Sequence, residues 1–212
     1  MISEVERIVI GPDAIDRSAI EKAAAAIAGG GIVAYPTDTF YGLAVDPRNA
    51  AAVEKLFAAK GRDRGQPAPL IASTADQAGE CVEFNDVARA LAARFWPGPL
   101  SLVLRARAVL QPTALGGHHT AAIRVPAEPI AQALAIAFGC CITATSANRS
   151  GEPPARTPQE IGAALLEHID VVVDGGATPG GAPSTIVDLT SDAPRLVRAG
   201  AIAWDRVLES LQ

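Results

Sequence analysis

The sequence predicts an α/β (α+β) fold built on a mixed β-sheet flanked by helices. Short apolar runs alternate with amphipathic stretches of helical period, which places strands and helices in turn along the chain. Some strand candidates follow one another with no helix between them, so parallel and antiparallel neighbours are both expected. Hydrophobic residues make up 49% of the 212-residue chain and aromatics 4%, so the core is one of Ala, Val, Ile and Leu.

SAIEKAAAAIAGGG reads as the first helix, with Ser18 as N-cap and glycines at its end. GIVAYP is a buried strand that Pro36 stops. NAAAVEKLFAAKG is a second helix, capped by Asn49 and terminated by Gly61. APLIAS is a short strand, and a helix over Asn85 to Phe95 ends at WPGP, whose prolines forbid continuation. LSLVLRA and TAAIRVP are strands, separated by a loop carrying Gly116, Gly117, His118 and His119. A helix over Pro129 to Phe138 leads into the strand CCITATS. PQEIGAALLEHI is a helix, DVVVDGG and STIVDL are strands, and AWDRVLESL is a short amphipathic helix. GGATPGGAPS, Gly175 to Ser184, is the one segment whose composition suggests a mobile loop. With no repeat or low-complexity linker, residues 1–212 are expected to form one domain, with a core of about 15–200 and a C-terminal helix over 203–211.

The net charge of −5 argues against a protein that coats nucleic acid, since phosphate binding draws on clustered Lys and Arg. Three cysteines, two of them adjacent, do not suggest a disulfide framework and point to a reducing, cytoplasmic setting; Cys140 and Cys141 are expected to pack as small hydrophobes. The start MISEVERIVI does not resemble a signal peptide, and no apolar run approaches the roughly 20 residues of a membrane span.

Polar segments at the ends of apolar runs are where α/β proteins place ligand-binding groups. PTDTFYGL, Pro36 to Leu43, offers the hydroxyls of Thr37 and Thr39, the Asp38 carboxylate and Gly42; it is either a ligand-facing wall or a turn held by its own side chains. Lys60 and Arg62 follow a helix, where cations either complement the dipole or clamp an anion. Arg124 lies inside the apolar strand AAIRVP and needs a partner there, either a carboxylate or an anionic ligand. Thr120 is four residues earlier, on the same strand face. TSANRSG supplies Ser146, Asn148 and a glycine turn that could face phosphates or metal-bound water. There is no GxxxxGK[ST] or strand-following GxGxxG, no GxSxG elbow, and no third ligand for His118 and His119; His168 reads as structural. The missing nucleophile and acid–base set fits a reaction run by positioning and charge stabilisation.

The ordered set PTDTFYGL, KGR, WPGPLSLVL, AAIRVP, TSANRSG, STIVD and LVRAG resembles the YrdC-like family, the threonylcarbamoyl-AMP synthases, from about Gly31 to Gly200, and in its short, single-domain form. The resemblance implies an open, twisted, mixed sheet flanked by helices, with a concave, positively charged cavity. It implies an enzyme, a nucleotidyltransferase, that makes threonylcarbamoyl-AMP and pyrophosphate from L-threonine, bicarbonate or CO2 and ATP. This is the first step towards threonylcarbamoyl-adenosine beside the anticodon of tRNA, and the product passes to a tRNA threonylcarbamoyl-transferase complex. Mg2+ accompanies ATP, with Ser146 and Asn148 as candidate metal-facing groups. By motif, Lys60 and Arg62 act on the triphosphate as catalytic cations. Thr37, Arg124, Thr143 and Ser184 bind threonine, with Arg124 on its carboxylate. Thr120, Ser146, Asn148 and Arg198 join Lys60 and Arg62 in binding ATP. The chain departs from the pattern at Asp63, at Gln66, where a lysine is usual, and at Pro183, where an acidic residue is usual; Arg64 could replace the missing cation. Two alternatives are an RNA-binding or ribosome-associated module, and a paralogue acting on another carbamate or acyl substrate. For the synthase itself a weak RNA contact is a further expected partner, and no membrane partner is expected.

Overall fold

The computed structural model describes residues 5–11 and 15–211. The opening residues of MISE and the chain's last residue lie outside them. A strand β1 (Glu6–Val9) precedes helix α1 (Arg17–Ala28), which leads to β2 (Val33–Tyr35) and β3 (Gly42–Ala44). Then come α2 (Ala50–Lys60), β4 (Leu70–Ile71), α3 (Ala75–Cys81) and α4 (Asp86–Phe95). β5 (Leu100–Arg105) and β6 (Thr120–Arg124) precede α5 (Pro129–Phe138), β7 (Ile142–Thr143) and β8 (Thr145–Ser146). A 3-10 turn at Pro158–Glu160, α6 (Ala163–Leu166), β9 (Val171–Asp174), β10 (Thr185–Asp188), β11 (Arg195–Arg198) and α7 (Trp204–Glu209) complete the chain.

The sheet is open and mixed, as expected, and its strands divide into two hydrogen-bonded groups. One runs β1-β9-β2-β3-β8 and the other β11-β10-β5-β6-β4-β7. Each combines parallel and antiparallel neighbours. CCITATS, expected as one strand, is shared between the groups: β7 pairs with β4 and β8 with β3. Between them, Ala144 donates its N–H to Pro69 O at 2.8 Å, so this segment forms the seam.

Helix ends follow local chemistry closely. Asn49 Oδ1 accepts the N–H groups of Ala51 and Ala52, and Gly61 at φ 58° closes α2 in the left-handed conformation that glycine adopts without a Cβ penalty. The cap of α1 is Asp16 rather than Ser18. Its carboxylate accepts from the backbone of Ser18 and Ala19 and from the Ser18 hydroxyl, and a carboxylate two residues upstream takes those donors first. PQEIGAALLEHI does not form one helix: it divides at Ile161–Gly162 into the 3-10 turn and the short α6.

α1 and α5 pack on one face of the first group through Ile20, Ile27, Ile130 and Leu134, and α2 covers the other through Val53, Leu56 and Phe57. In the second group Leu100, Leu102, Leu104, Ala121 and Ile123 face α3 and α4. The alternate residues Ser101 and Arg124 therefore lie on the opposite face. That face, meeting β3 and β8 across the seam, forms the site.

Candidate active site

A cavity of about 400 Å³ opens at the seam. Thr37, Thr39 and Gly42 line it from one side, Ser101, Arg124, Ser184 and Arg198 from the other, and Arg62, Thr145 and Ser146 lie across the top. Its lining holds three guanidinium groups and no carboxylate. A hollow of about 780 Å³ beside α3 and α4 is larger, but none of the predicted site residues lines it. The smaller cavity is the candidate because its polar groups converge.

Arg124 is almost fully buried and forms an ion pair with Asp38, while its Nη2 stands 3.5 Å from Thr37 Oγ1. Asp38 also accepts the Ala127 N–H at 3.2 Å, so the carboxylate ties PTDTFYGL to the strand that carries Arg124. Thr37 Oγ1 donates to Phe40 O at 2.7 Å and lies 3.2 Å from Thr39 Oγ1. The segment is thus both a self-bonded turn and a cavity wall.

Arg198 donates to Ser184 O at 2.7 Å and to Ser184 Oγ at 2.9 Å, and Ser184 Oγ lies 3.0 Å from Ser101 Oγ. Burial and then the nearby Arg124 charge lower the affinity of Arg198 for its proton. Arg62 donates to Pro67 O at 2.8 Å and stands 3.5 Å from Thr145 Oγ1, and burial lowers its pKa as well.

Three predicted residues, Lys60, Thr143 and Thr120, sit differently from expectation. Lys60 is 2% exposed and donates to Ser146 O and Asn148 O, so its charge lies beneath the TSAN turn rather than at the cavity wall. Burial, followed by Arg62, pushes its pKa down to about 8, and Glu152 opposes the shift. Thr143 is fully buried; its hydroxyl donates to Leu43 O and accepts from Val45 N–H, both at 2.9 Å, which leaves it nothing to offer a ligand. Thr145, two residues on, holds the cavity position. Thr120 lies at the far end of β6 from Arg124, about 13 Å along the strand, and lines a separate hollow with Asn85 and His119. Asn148 uses its amide to hold Arg149 O and Glu152 O, and its buried Oδ1 has no partner.

Other expectations are corrected too. Arg64 pairs with exposed Glu54 at 2.7 Å and does not replace a cavity cation. GGATPGGAPS makes hydrogen bonds to its surroundings: Gly180 N–H donates to Thr39 O and Thr178 N–H to Arg156 O, both at 2.8 Å, and Tyr41 hydroxyl donates to Gly176 O at 2.7 Å. Cys81 and Cys141 are joined as a disulfide, because α3 and β7 bring together residues 60 apart in sequence that spacing could not pair.

Ser101 and Thr145 escaped the sequence reading as site residues. Ser101 had a signal, as the polar residue opposite the leucines of LSLVLR. Asp38 was visible as a carboxylate in PTDTFYGL, but its pairing with Arg124, 86 residues away, was not.

Fold and site together define an α/β protein whose guanidinium-lined, carboxylate-free cavity sits where two strand groups join. A family model for Sua5, YciO and YrdC, described as "Telomere recombination", matches residues 25–200. The chain is 40% identical over 163 residues to the threonylcarbamoyl-AMP synthase of Thiobacillus denitrificans, covering 76% of this chain and 86% of that protein. It is 38% identical over 194 residues to the threonylcarbamoyl-AMP synthase of Pyrococcus abyssi, covering 91% of this chain and 57% of that protein. The solved structure of P. abyssi Sua5 complexed with L-threonine superposes with a TM-score of 0.92 at 35% identity, over 97% of this chain and 60% of that one. The chain thus spans about 60% of the Pyrococcus protein. This chain belongs to the Sua5/YciO/YrdC family.

Among the described residues, no helix is long and apolar enough to cross a membrane.

Proposed function

We propose that the chain is a threonylcarbamoyl-AMP synthase, forming threonylcarbamoyl-AMP and pyrophosphate from L-threonine, bicarbonate or CO2 and ATP, for tRNA modification. The observation that carries this reading is the convergence of Arg62, Arg124 and Arg198 with Thr37, Thr145, Ser146 and Ser184 on one cavity that no carboxylate lines. Such a lining suits a substrate pair bearing a carboxylate and phosphates. The names of the Thiobacillus and Pyrococcus relatives, and the threonine held by the Pyrococcus structure, support the same assignment.

In this reading Arg124 receives the threonine carboxylate, with Thr37 and Ser184 beside it. Arg124 is held from behind by Asp38 and stays aimed at the cavity through its second nitrogen. Arg62 and Arg198 face the phosphates and offset the negative charge that builds at the α-phosphorus as a carbamate oxygen attacks and pyrophosphate leaves. Lys60 acts indirectly, by fixing the carbonyls of Ser146 and Asn148 and so the shape of the turn that presents Ser146. Mg2+ is a hard, oxygen-seeking ion carried on phosphates; the Ser146 hydroxyl and the unpartnered Asn148 Oδ1 are the side-chain oxygens suited to it. Bound there, it would neutralise phosphate charge. Transfer of the adenylate to a tRNA-modifying partner belongs to the same proposal.

The test is threonine-dependent pyrophosphate release by the purified protein with ATP, Mg2+ and bicarbonate. Release that is equal with serine, or without any amino acid, would refute the reading. Arg124→Ala is expected to raise the threonine requirement severely in a folded protein.

A further inference from the structure

Three sulfurs meet in the core of the second strand group, away from the cavity lining. Cys81 ends α3, while Cys140 and Cys141 follow Gly139 and lead into β7. Cys81 and Cys141 are fully buried and Cys140 is 4% exposed. All three Sγ atoms lie within 4.8 Å of one another, with Cys140 Sγ at 3.7 Å from Cys81 Sγ and 4.0 Å from Cys141 Sγ. The disulfide joins Cα atoms 6.9 Å apart, just beyond the roughly 4.4–6.8 Å that disulfides usually span. A metal between thiolates suits a wider backbone: bonds of about 2.3 Å set neighbouring sulfurs about 3.8–4.0 Å apart. The two unbonded edges of this triangle already have nearly that length. A disulfide also leaves the third sulfur without a function, although it stands where a third ligand belongs.

We propose that reduced Cys81, Cys140 and Cys141 form a binding site for a soft d10 cation, with Cu(I) the best match. Thiolates select Cu(I) and Zn(II) over the hard ions, and structural Zn(II) almost always takes four ligands. Among the described residues this group holds three sulfurs and no His, Asp or Glu. A small-thiol reductant first converts the disulfide to two cysteine thiols, itself becoming its own disulfide. Cu(I) then displaces the protons of Cys81 and Cys141 to solvent, and Cys140 completes a trigonal set. Cys140 is the sulfur at the rim, near Arg48, whose guanidinium lies 5.2 Å from the Phe138 ring. Disulfide and metal site are alternative states of the same sulfurs: a small-molecule disulfide, reduced to two thiols as Cys81 and Cys141 rejoin, releases the ion.

The test is anaerobic titration of the reduced full chain with Cu(I) against a chromophoric Cu(I) chelator. One ion per chain, a near-ultraviolet thiolate-to-copper band and a raised melting temperature are expected, with no uptake by the oxidised protein. Cys140→Ala decides the matter, because it leaves Cys81 and Cys141 in place: its metal-free melting temperature should match the parent while stoichiometric uptake is lost. Uptake no greater than in the variant with all three cysteines replaced by alanine overturns the site. So does uptake unaffected by Cys140→Ala, or uptake that removes the helical circular dichroism signal.

Discussion

Arg124 on β6 and Asp38 in PTDTFYGL form a buried ion pair that joins the two strand groups across the cavity, with side-chain exposures of only 8% and 11%. Arg124 has a carboxylate partner and still lines the cavity, so the pairing that its place in an apolar strand called for does not withdraw it from the site. Asp38→Asn would leave a buried guanidinium unpaired beside Arg198, a defect worth about 3–5 kcal/mol in comparable pairs. Urea unfolding is expected to show a loss of that order, and the double variant Asp38→Asn/Arg124→Gln to be more stable than additivity allows. Strictly additive losses would show that the pair does not couple the two segments.

Two threonines two residues apart should respond in opposite ways. Thr143→Val strands the Val45 N–H and Leu43 O and is expected to cost about 1–3 kcal/mol in thermal or urea unfolding, with threonine and ATP KM little changed in the folded fraction. Thr145→Val removes a cavity hydroxyl and should weaken substrate use with little effect on stability. Equal effects of the pair on KM would undo this division.

Lys60 predicts a pH signature. Its folded pKa of about 8 lies below the ordinary value of 10.5, so the unfolded chain holds a proton that the folded chain has released between those values. Stability contributed by this group therefore rises with pH from about 8 to about 10.5, and its burial cost is fully present below 8. The difference in unfolding free energy between the parent and Lys60→Met should increase across that window. Parallel curves would place the lysine in a more solvated setting than its two carbonyl partners indicate.

Gly200, which closes LVRAG, lies against the backbone of Pro183 to Thr185, where a Cβ would meet Ser184 C and Thr185 N at 2.5 Å. Gly200→Ala must displace either β10 or the segment carrying Arg198. Pyrophosphate release is expected to fall even with saturating substrates, while an alanine at half-buried Gly79, whose Cβ site is empty, should leave activity unchanged. Normal turnover in Gly200→Ala would show that the Ser184–Arg198 contact tolerates the shift.

The sequence by itself determined the helices whose caps are local: Asn49 and Gly61 bound α2, and Pro129 and Gly139 bound α5, because an Asx side chain, a proline ring and a left-handed glycine act within a few residues. It also determined the segments that supply the cavity, since polar groups at the ends of apolar runs are visible without knowing what they meet. Tertiary structure alone decided which hydroxyl of TATS faces the cavity, because β7 and β8 pair with strands of different groups and the chain turns over between them. It alone paired Asp38 with Arg124 and Cys81 with Cys141, and it turned the Lys60 charge under the TSAN turn. Those outcomes depend on contacts between segments 60 to 88 residues apart, which no local pattern encodes.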